Sequence, residues 1–143
     1  MKHIRHTGIF VDDLEIMKDF YMKHFDMQVA VHDTEEGEYI SKLYGLKDQI
    51  EVELYKLVTE DGCMIELLRI KPEGKRDVHS ERIFYTGCCH IALTVKSIKQ
   101  QYEIMKDSGI FFYSEPLISR DGMHKVCICK DPEGNYLELV EDL

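Results

Sequence analysis

No apolar run in this 143-residue chain approaches the roughly 18 residues needed to cross a bilayer as a helix. Nor is there an excess of positive charge. Lys and Arg total 18 against 27 Asp and Glu, a formal net charge of −9. That balance leaves no surplus cations to displace the counterions of a phosphate backbone, which argues against nucleic acid. It argues against an anionic membrane surface for the same reason. The five cysteines include no Cys-x-x-Cys spacing, so a zinc ribbon is not indicated. Reduced thiols buried as small apolar residues are expected instead, with Cys127 and Cys129 on one face of a strand. The opening Met1-Lys2-His3-Ile4-Arg5-His6 runs directly into a strand and leaves no room for a signal peptide. A cytoplasmic protein is therefore expected.

What is present is a repeat. Gly134-Asn135-Tyr136-Leu137-Glu138-Leu139-Val140 echoes Gly62-Cys63-Met64-Ile65-Glu66-Leu67-Leu68, 72 residues earlier. Asp61 and Glu133 open the two copies. His6-Thr7-Gly8-Ile9-Phe10-Val11 and His90-Ile91-Ala92-Leu93-Thr94-Val95 lie 84 residues apart. Each half thus begins on a His strand and ends on a Glu strand. A glutamate inside an apolar strand is costly to bury unless something pairs with it or binds it, and here the placement occurs twice.

Alternation and capping residues give the order of elements. Residues 4–11 read as a strand with His6, Gly8 and Phe10 on one face and Ile9 and Val11 on the other. Asp12-Asp13 offers an N-cap for a helix over 14–25, where Leu14, Met17, Phe20, Tyr21 and His24 recur at helical spacing. A short strand over 27–32 follows, then an irregular stretch over 33–50 that either borders a site or is a solvated connector. Strands over 50–59 and 63–70 flank the turn Glu60-Asp61-Gly62. Val52, Leu54 and Lys56 share one face of the first; Met64, Glu66 and Leu68 share one face of the second. Lys71 to Asp77 has the polar, Pro- and Gly-containing character of a linker. The second half repeats the order with a strand over 89–95, a helix from the Ser97 N-cap to Gly109, and strands over 110–117, 124–130 and 135–141.

The predicted fold is α+β: two tandem βαβββ modules, 1–70 and 80–143, joined by a linker over 71–79. Together they form one domain, since a half of about 70 residues buries little surface alone. His6, Glu66, His90 and Glu138 all fall on faces turned away from the helices. A single His on a half-buried strand is more often a hydrogen-bonded core residue than a ligand. Repetition of the whole set favours the other reading, a mixed nitrogen and oxygen site for one divalent ion (Ni, Co, Zn, Mn, Fe or Mg). His3, His24, His32, His79 and His124 have no repeat partner and are expected to be solvated or structural.

The terminal Asp131-Pro132-Glu133-Gly134-Asn135-Tyr136-Leu137-Glu138-Leu139 and the strand Cys89-His90-Ile91-Ala92-Leu93-Thr94-Val95 are similar to motifs of the vicinal oxygen chelate superfamily, which includes glyoxalases, bleomycin-resistance proteins and extradiol dioxygenases. The resemblance covers nearly the whole chain. It implies two βαβββ modules building an open, curved sheet or barrel around a metal, often in a homodimer. The four-residue set resembles that of glyoxalase I, which implies a lyase or isomerase moving a proton alpha to a carbonyl through a metal-stabilised enediolate. On that resemblance Glu138 is the catalytic base, with Glu66 the alternative, and the substrate is a small carbonyl compound or thioester. Glutathione-using members usually carry Arg where this chain has Phe10, so the resemblance does not extend to the glutathione handle. Alternative members are methylmalonyl-CoA epimerases, which usually have Gln at the Glu66 position, then extradiol dioxygenases and fosfomycin-type transferases, each with three protein ligands. A metal-free binding protein of the bleomycin-resistance kind is the non-enzyme alternative.

Overall fold

The computed structural model describes residues 4–72 and 89–143. It divides into two compact units, Met1–Val78 and His79–Leu143. The linker expected over 71–79 lies largely outside the described residues, as do His3, His79 and Cys88.

The first unit runs β1 (Thr7–Phe10), α1 (Leu14–Phe25), β2 (Gln28–Glu36), α2 (Glu38–Leu43), β3 (Glu51–Val58) and β4 (Met64–Lys71). Its sheet has the order β1-β4-β3-β2. The β1–β4 pair is parallel and the other two are antiparallel. Asp13 caps α1 by accepting a hydrogen bond from the Ile16 amide at 3.0 Å, and the helix stops at Asp26 in the left-handed region. α1 packs on β3 and β4, because its buried stripe of Leu14, Met17, Phe20 and Tyr21 covers the face carrying Leu57, Ile65 and Leu67. The Tyr55 hydroxyl ties that face to the helix by donating to Glu15 Oε1 at 2.7 Å.

The second unit runs β5 (His90–Thr94), α3 (Ile98–Asp107), β6 (Leu117–Ile118), β7 (His124–Lys130) and β8 (Tyr136–Asp142). Its order, β5-β8-β7-β6, repeats that of the first, again with one parallel pair, β5–β8. Ser97 caps α3 through the Gln100 amide at 3.4 Å, and Gly109 follows it at φ 85°. α3 packs on β8. Ile98, Met105, Cys127, Cys129, Leu137 and Leu139 are buried on that side. The fold is therefore α+β with two four-stranded mixed sheets, and neither sheet closes into a barrel.

Two expectations need correction and one open reading is narrowed. The strand expected over 110–117 is reduced to a bridge between Phe112 and Cys129 and the two-residue β6. Pro116 supplies no backbone N–H for a continuous ladder. The strand expected over 27–32 extends to Glu36, because its pairing with β3 continues from Gln28 opposite Val58 to Glu36 opposite Glu51. The stretch over 33–50, left open between two readings, is anchored on the sheet at Ile40, Ser41 and Ile50, while 42–49 stays exposed. Ile40 and Ser41 of α2 are buried, and Ile40 joins Ile50, Val52, Leu54 and Leu68 in a cluster. The Ser41 hydroxyl closes the segment by accepting from the Ile50 amide at 3.1 Å.

Among the cysteines, Cys127 and Cys129 are buried as expected, whereas Cys63 and Cys89, beside the ends of their strands, are exposed. Burial pushes the Cys127 thiol up to about 11 and that of Cys129 to about 12. Both are thus inert thiols on the helix-covered face. No helix among the described residues is long and apolar enough to cross a membrane.

Candidate functional site

On the face of each sheet opposite α1 or α3, one histidine meets one glutamate. In the first unit Gly8 is the register partner of Glu66. His6, two residues before Gly8, therefore sits diagonally to the glutamate on the same face. Its Nε2 lies 3.1 Å from Glu66 Oε2. In the second unit Ala92 is the register partner of Glu138, and His90 occupies the same diagonal. His90 Nε2 lies 3.3 Å from Glu138 Oε2. A small residue, Gly8 or Ala92, sits opposite each glutamate and leaves room for the imidazole to reach across. At Gly8 an added Cβ would lie 3.4 Å from Leu68 Cδ1 and 4.0 Å from Glu66 Oε2.

The two pairs differ in their third neighbour. Lys56 is the register partner of Glu66 across the β3–β4 hairpin, and its Nζ lies 3.2 Å from Oε1. Both carboxylate oxygens of Glu66 are engaged, and its side chain is 12% exposed. The corresponding partner of Glu138 is Ile128. Glu138 Oε1 has no hydrogen-bond or ion partner among the described residues, and the side chain is 29% exposed. Lys56 is the residue sequence reading missed here, although the signal was available. A hairpin centred on Asp61 pairs residues equidistant from it, and 56 and 66 are each five residues away.

α2 bounds the first pair. The ring of Tyr44, just beyond that helix, packs edge-to-face on Phe10 at 6.0 Å. Partial burial, then the negative charges of Glu66 and Glu35, push the Tyr44 phenol up from its ordinary value. The segment over 33–50 thus lies on the same open face as His6 and Glu66.

The remaining histidines have structural settings. His24 is buried on α1, and desolvation lowers its proton affinity. His32 stacks on Tyr55 with ring centroids 4.1 Å apart and meets Glu53 at 3.2 Å. His124 Nδ1 meets Asp142 at 3.0 Å on the surface.

The donor chemistry suits a divalent ion. Two cis ligands of an octahedral ion at about 2.1 Å stand roughly 3 Å apart, close to the nitrogen–oxygen separation in each pair. Imidazole with carboxylate is a borderline-to-hard set that accepts Zn, Ni, Co, Mn or Fe. His6 Nδ1 is buried and has no hydrogen-bond partner among the described residues; an outer hydrogen bond at that nitrogen usually orients a histidine ligand. Among the described residues no group of three or more His, Cys, Asp or Glu side chains is placed to hold an ion. Each unit by itself supplies two donors.

The Glyoxalase/Bleomycin resistance protein/Dioxygenase superfamily model matches residues 3–139. The chain belongs to this superfamily. No curated protein sequence matches it significantly. Among solved structures it is similar to a glyoxalase family protein from Bacillus cereus, with a TM-score of 0.89 and 22% identity over 100% of this chain and 95% of that one. It is also similar to the trypanothione-dependent glyoxalase I of Leishmania major, with a TM-score of 0.68 and 21% identity over 99% of this chain and 87% of that one. Glyoxalase I from Zea mays gives a TM-score of 0.69 and 20% identity over 97% of this chain and 46% of the maize chain. At these identities the likeness establishes the glyoxalase-type fold. The two four-stranded mixed sheets match the tandem modules of that fold.

Proposed function

We propose that the chain is a divalent-metal-dependent lyase or isomerase of glyoxalase I type. Its substrate is a small carbonyl compound or thioester, and its reaction moves a proton on the carbon next to the carbonyl. His6, Glu66, His90 and Glu138 would hold one ion, each unit contributing its pair. Such an ion, when bound, polarises the substrate oxygen and offsets the negative charge that develops there.

The observation that carries the reading is the unequal engagement of the two glutamates. Glu66 is held on one oxygen by His6 and on the other by Lys56, which suits a fixed ligand. Glu138 is held on one oxygen alone, and its cross-strand neighbours Ala92 and Ile128 offer no polar side chain. Glu138 is therefore the base. Its Oε1 takes the proton from the substrate carbon and returns it to the adjacent position. His90, whose Nε2 faces the other oxygen of Glu138, would hold the ion beside it. A general base placed in this way contributes about 10²–10⁴-fold in rate.

Calorimetric titration of metal-stripped protein with Ni, Co and Zn, beside His90→Ala, tests the site. The expected result is about one ion per chain, with affinity falling roughly 100-fold or more in the variant, since loss of even an outer-shell partner costs 10–100-fold. Hemithioacetals and acyl-CoA thioesters are then given to the loaded protein in deuterated water, and exchange at the carbon alpha to the carbonyl is followed. Failure of the unmodified protein to bind any of the three ions would overturn the reading in favour of a metal-free binding protein.

A further inference from the structure

The open face of the second sheet carries a lysine set among three aromatic rings. Lys130 and Tyr136 are register partners, and Tyr136 is in turn the partner of His90. The three residues therefore form one row across β7, β8 and β5. Buried Cys129 and Leu137 point toward α3, so by alternation Lys130, Tyr136 and Glu138 share the opposite face. Phe112 pairs with Cys129 and packs on Tyr102 of α3 at 4.7 Å. Its neighbours Phe111 and Tyr113 consequently lie on the open face.

These residues converge. Lys130 Nζ stands 5.4 Å from the Tyr136 ring centroid, 5.8 Å from that of Tyr113 and 6.0 Å from that of Phe111. Phe111 and Tyr113 pack edge-to-face at 4.9 Å, yet they remain 56% and 41% exposed. They are available as a contact surface. No carboxylate lies within ion-pair distance of Lys130 among the described residues. The adjacent Asp131 is buried and occupied, accepting from the amides of Glu133 and Asn135 and from Asn135 Nδ2.

In a chain of net charge −9, a lysine so placed is conspicuous. Contact with three rings restrains its flexible stem and takes part of the hydration from the ammonium. The group is thereby pre-organised, which lowers the ordering cost of an anion that binds it. The rings beside it offer area to whatever apolar body that anion carries.

We infer that Lys130, Phe111, Tyr113 and Tyr136 form a subsite for the carboxylate end of the substrate, whose body lies against the exposed rings. The inference rests on the proposed function in placing the reacting carbonyl at the His90–Glu138 pair. Lys130 stands two strand spacings from His90, about 10 Å between backbones. The substrate class is thus a compact oxo acid with an apolar or aromatic body, its carboxylate within about 10 Å of the reacting carbonyl. Lys130 sets specificity and takes no part in proton transfer.

The test is an NMR titration, which reads millimolar affinities, with 4-oxo-4-phenylbutanoate against its methyl ester, a probe whose carboxylate is set off from the carbonyl and whose carbon next to the carbonyl carries protons. It is run on metal-stripped and on Zn-loaded protein. Tighter binding of the acid than of the ester by tenfold or more is expected in both preparations. Lys130→Met, which keeps most of the apolar stem, should abolish the difference, and Lys130→Arg should retain it. Acetate should displace the acid. Equal binding of acid and ester, or binding of neither, would overturn the inference, as would an unchanged preference in Lys130→Met. Displacement by inorganic phosphate and not by acetate would overturn the carboxylate assignment in favour of phosphate. Because the metal-stripped arm needs no ion, an acid preference there would survive even if Ni, Co and Zn all failed to bind. That pattern would sink the proposed function and leave the subsite standing.

Discussion

The two units present the same His–Glu diagonal in two different surroundings. In the first, Lys56 stands across the hairpin from Glu66, and α2 covers the neighbouring stretch of the open face through Ile40. In the second, Ile128 stands across from Glu138. An exposed aromatic group surrounds Lys130 one row away. The backbone has been kept in duplicate while the side chains opposite the glutamates have diverged. One carboxylate is clamped on both oxygens and the other is engaged on one among the described residues. Equivalent positions in a repeat therefore need not perform equivalent work, and the cross-strand neighbour is what separates them.

Exchanging the roles of the glutamates tests this comparison most severely. Glu138→Gln should lower turnover about 10²–10⁴-fold with the ion still bound, whereas Glu66→Gln should act chiefly on ion affinity. Parallel steady-state kinetics and metal analysis of the two variants separate these outcomes. Full activity in Glu138→Gln would reverse the assignment, or would remove it if Glu66→Gln were active as well. Removing the clamp is the next step. Lys56→Met takes a positive charge from beside a candidate ligand, and divalent affinity should rise by up to about tenfold, on the order of 1 kcal/mol for a partly screened charge. An unchanged or lower affinity would mean that Lys56 does not act electrostatically on that site. Its effect on fold stability should stay within about 1 kcal/mol, as for other partly exposed pairs.

The smallest effect concerns the helices that back the two sheets. The Asp13 cap is shorter than that of Ser97, 3.0 Å against 3.4 Å. The first amide of α3, that of Ile98, also donates to Glu141 Oε2 at 2.7 Å. Asp13→Ala should therefore cost about 1 kcal/mol and Ser97→Ala about half of that. Urea denaturation of both variants would measure the difference, and a larger loss at Ser97 would show that cap geometry does not rank the two helices.

Much of this organisation is legible from local pattern. The phase of each strand follows from alternation, so the shared faces of His6 with Phe10 and of Met64 with Glu66 need no tertiary information. The caps at Asp13 and Ser97 are local as well. Lys56 opposite Glu66 follows from the hairpin at Asp61-Gly62, because a tight antiparallel turn fixes register by counting. Other features resist such reading. The stretch over 33–50 has no strong period, and its burial depends on Ile40 finding Leu54 and Leu68 on a sheet face that the local pattern leaves open. The stretch over 110–117 alternates adequately, but Pro116 interrupts the ladder and leaves only the bridge at Phe112 and the start of β6 at Leu117.

The sequence by itself determined the duplication, the α+β class, the faces of the four candidate ligands and the superfamily. Each of these is written in short-range periodicity or in a motif of a few residues. Tertiary structure alone decided how far each histidine lies from its glutamate, because β1 with β4 and β5 with β8 are parallel pairs. Parallel strands are joined by long crossovers, so no turn counts out their register, and packing of the intervening helix and strands sets it instead. The same holds for the company each glutamate keeps. A lysine clamp on one and an aromatic-flanked lysine near the other arise where residues distant in the chain meet on one face of a sheet.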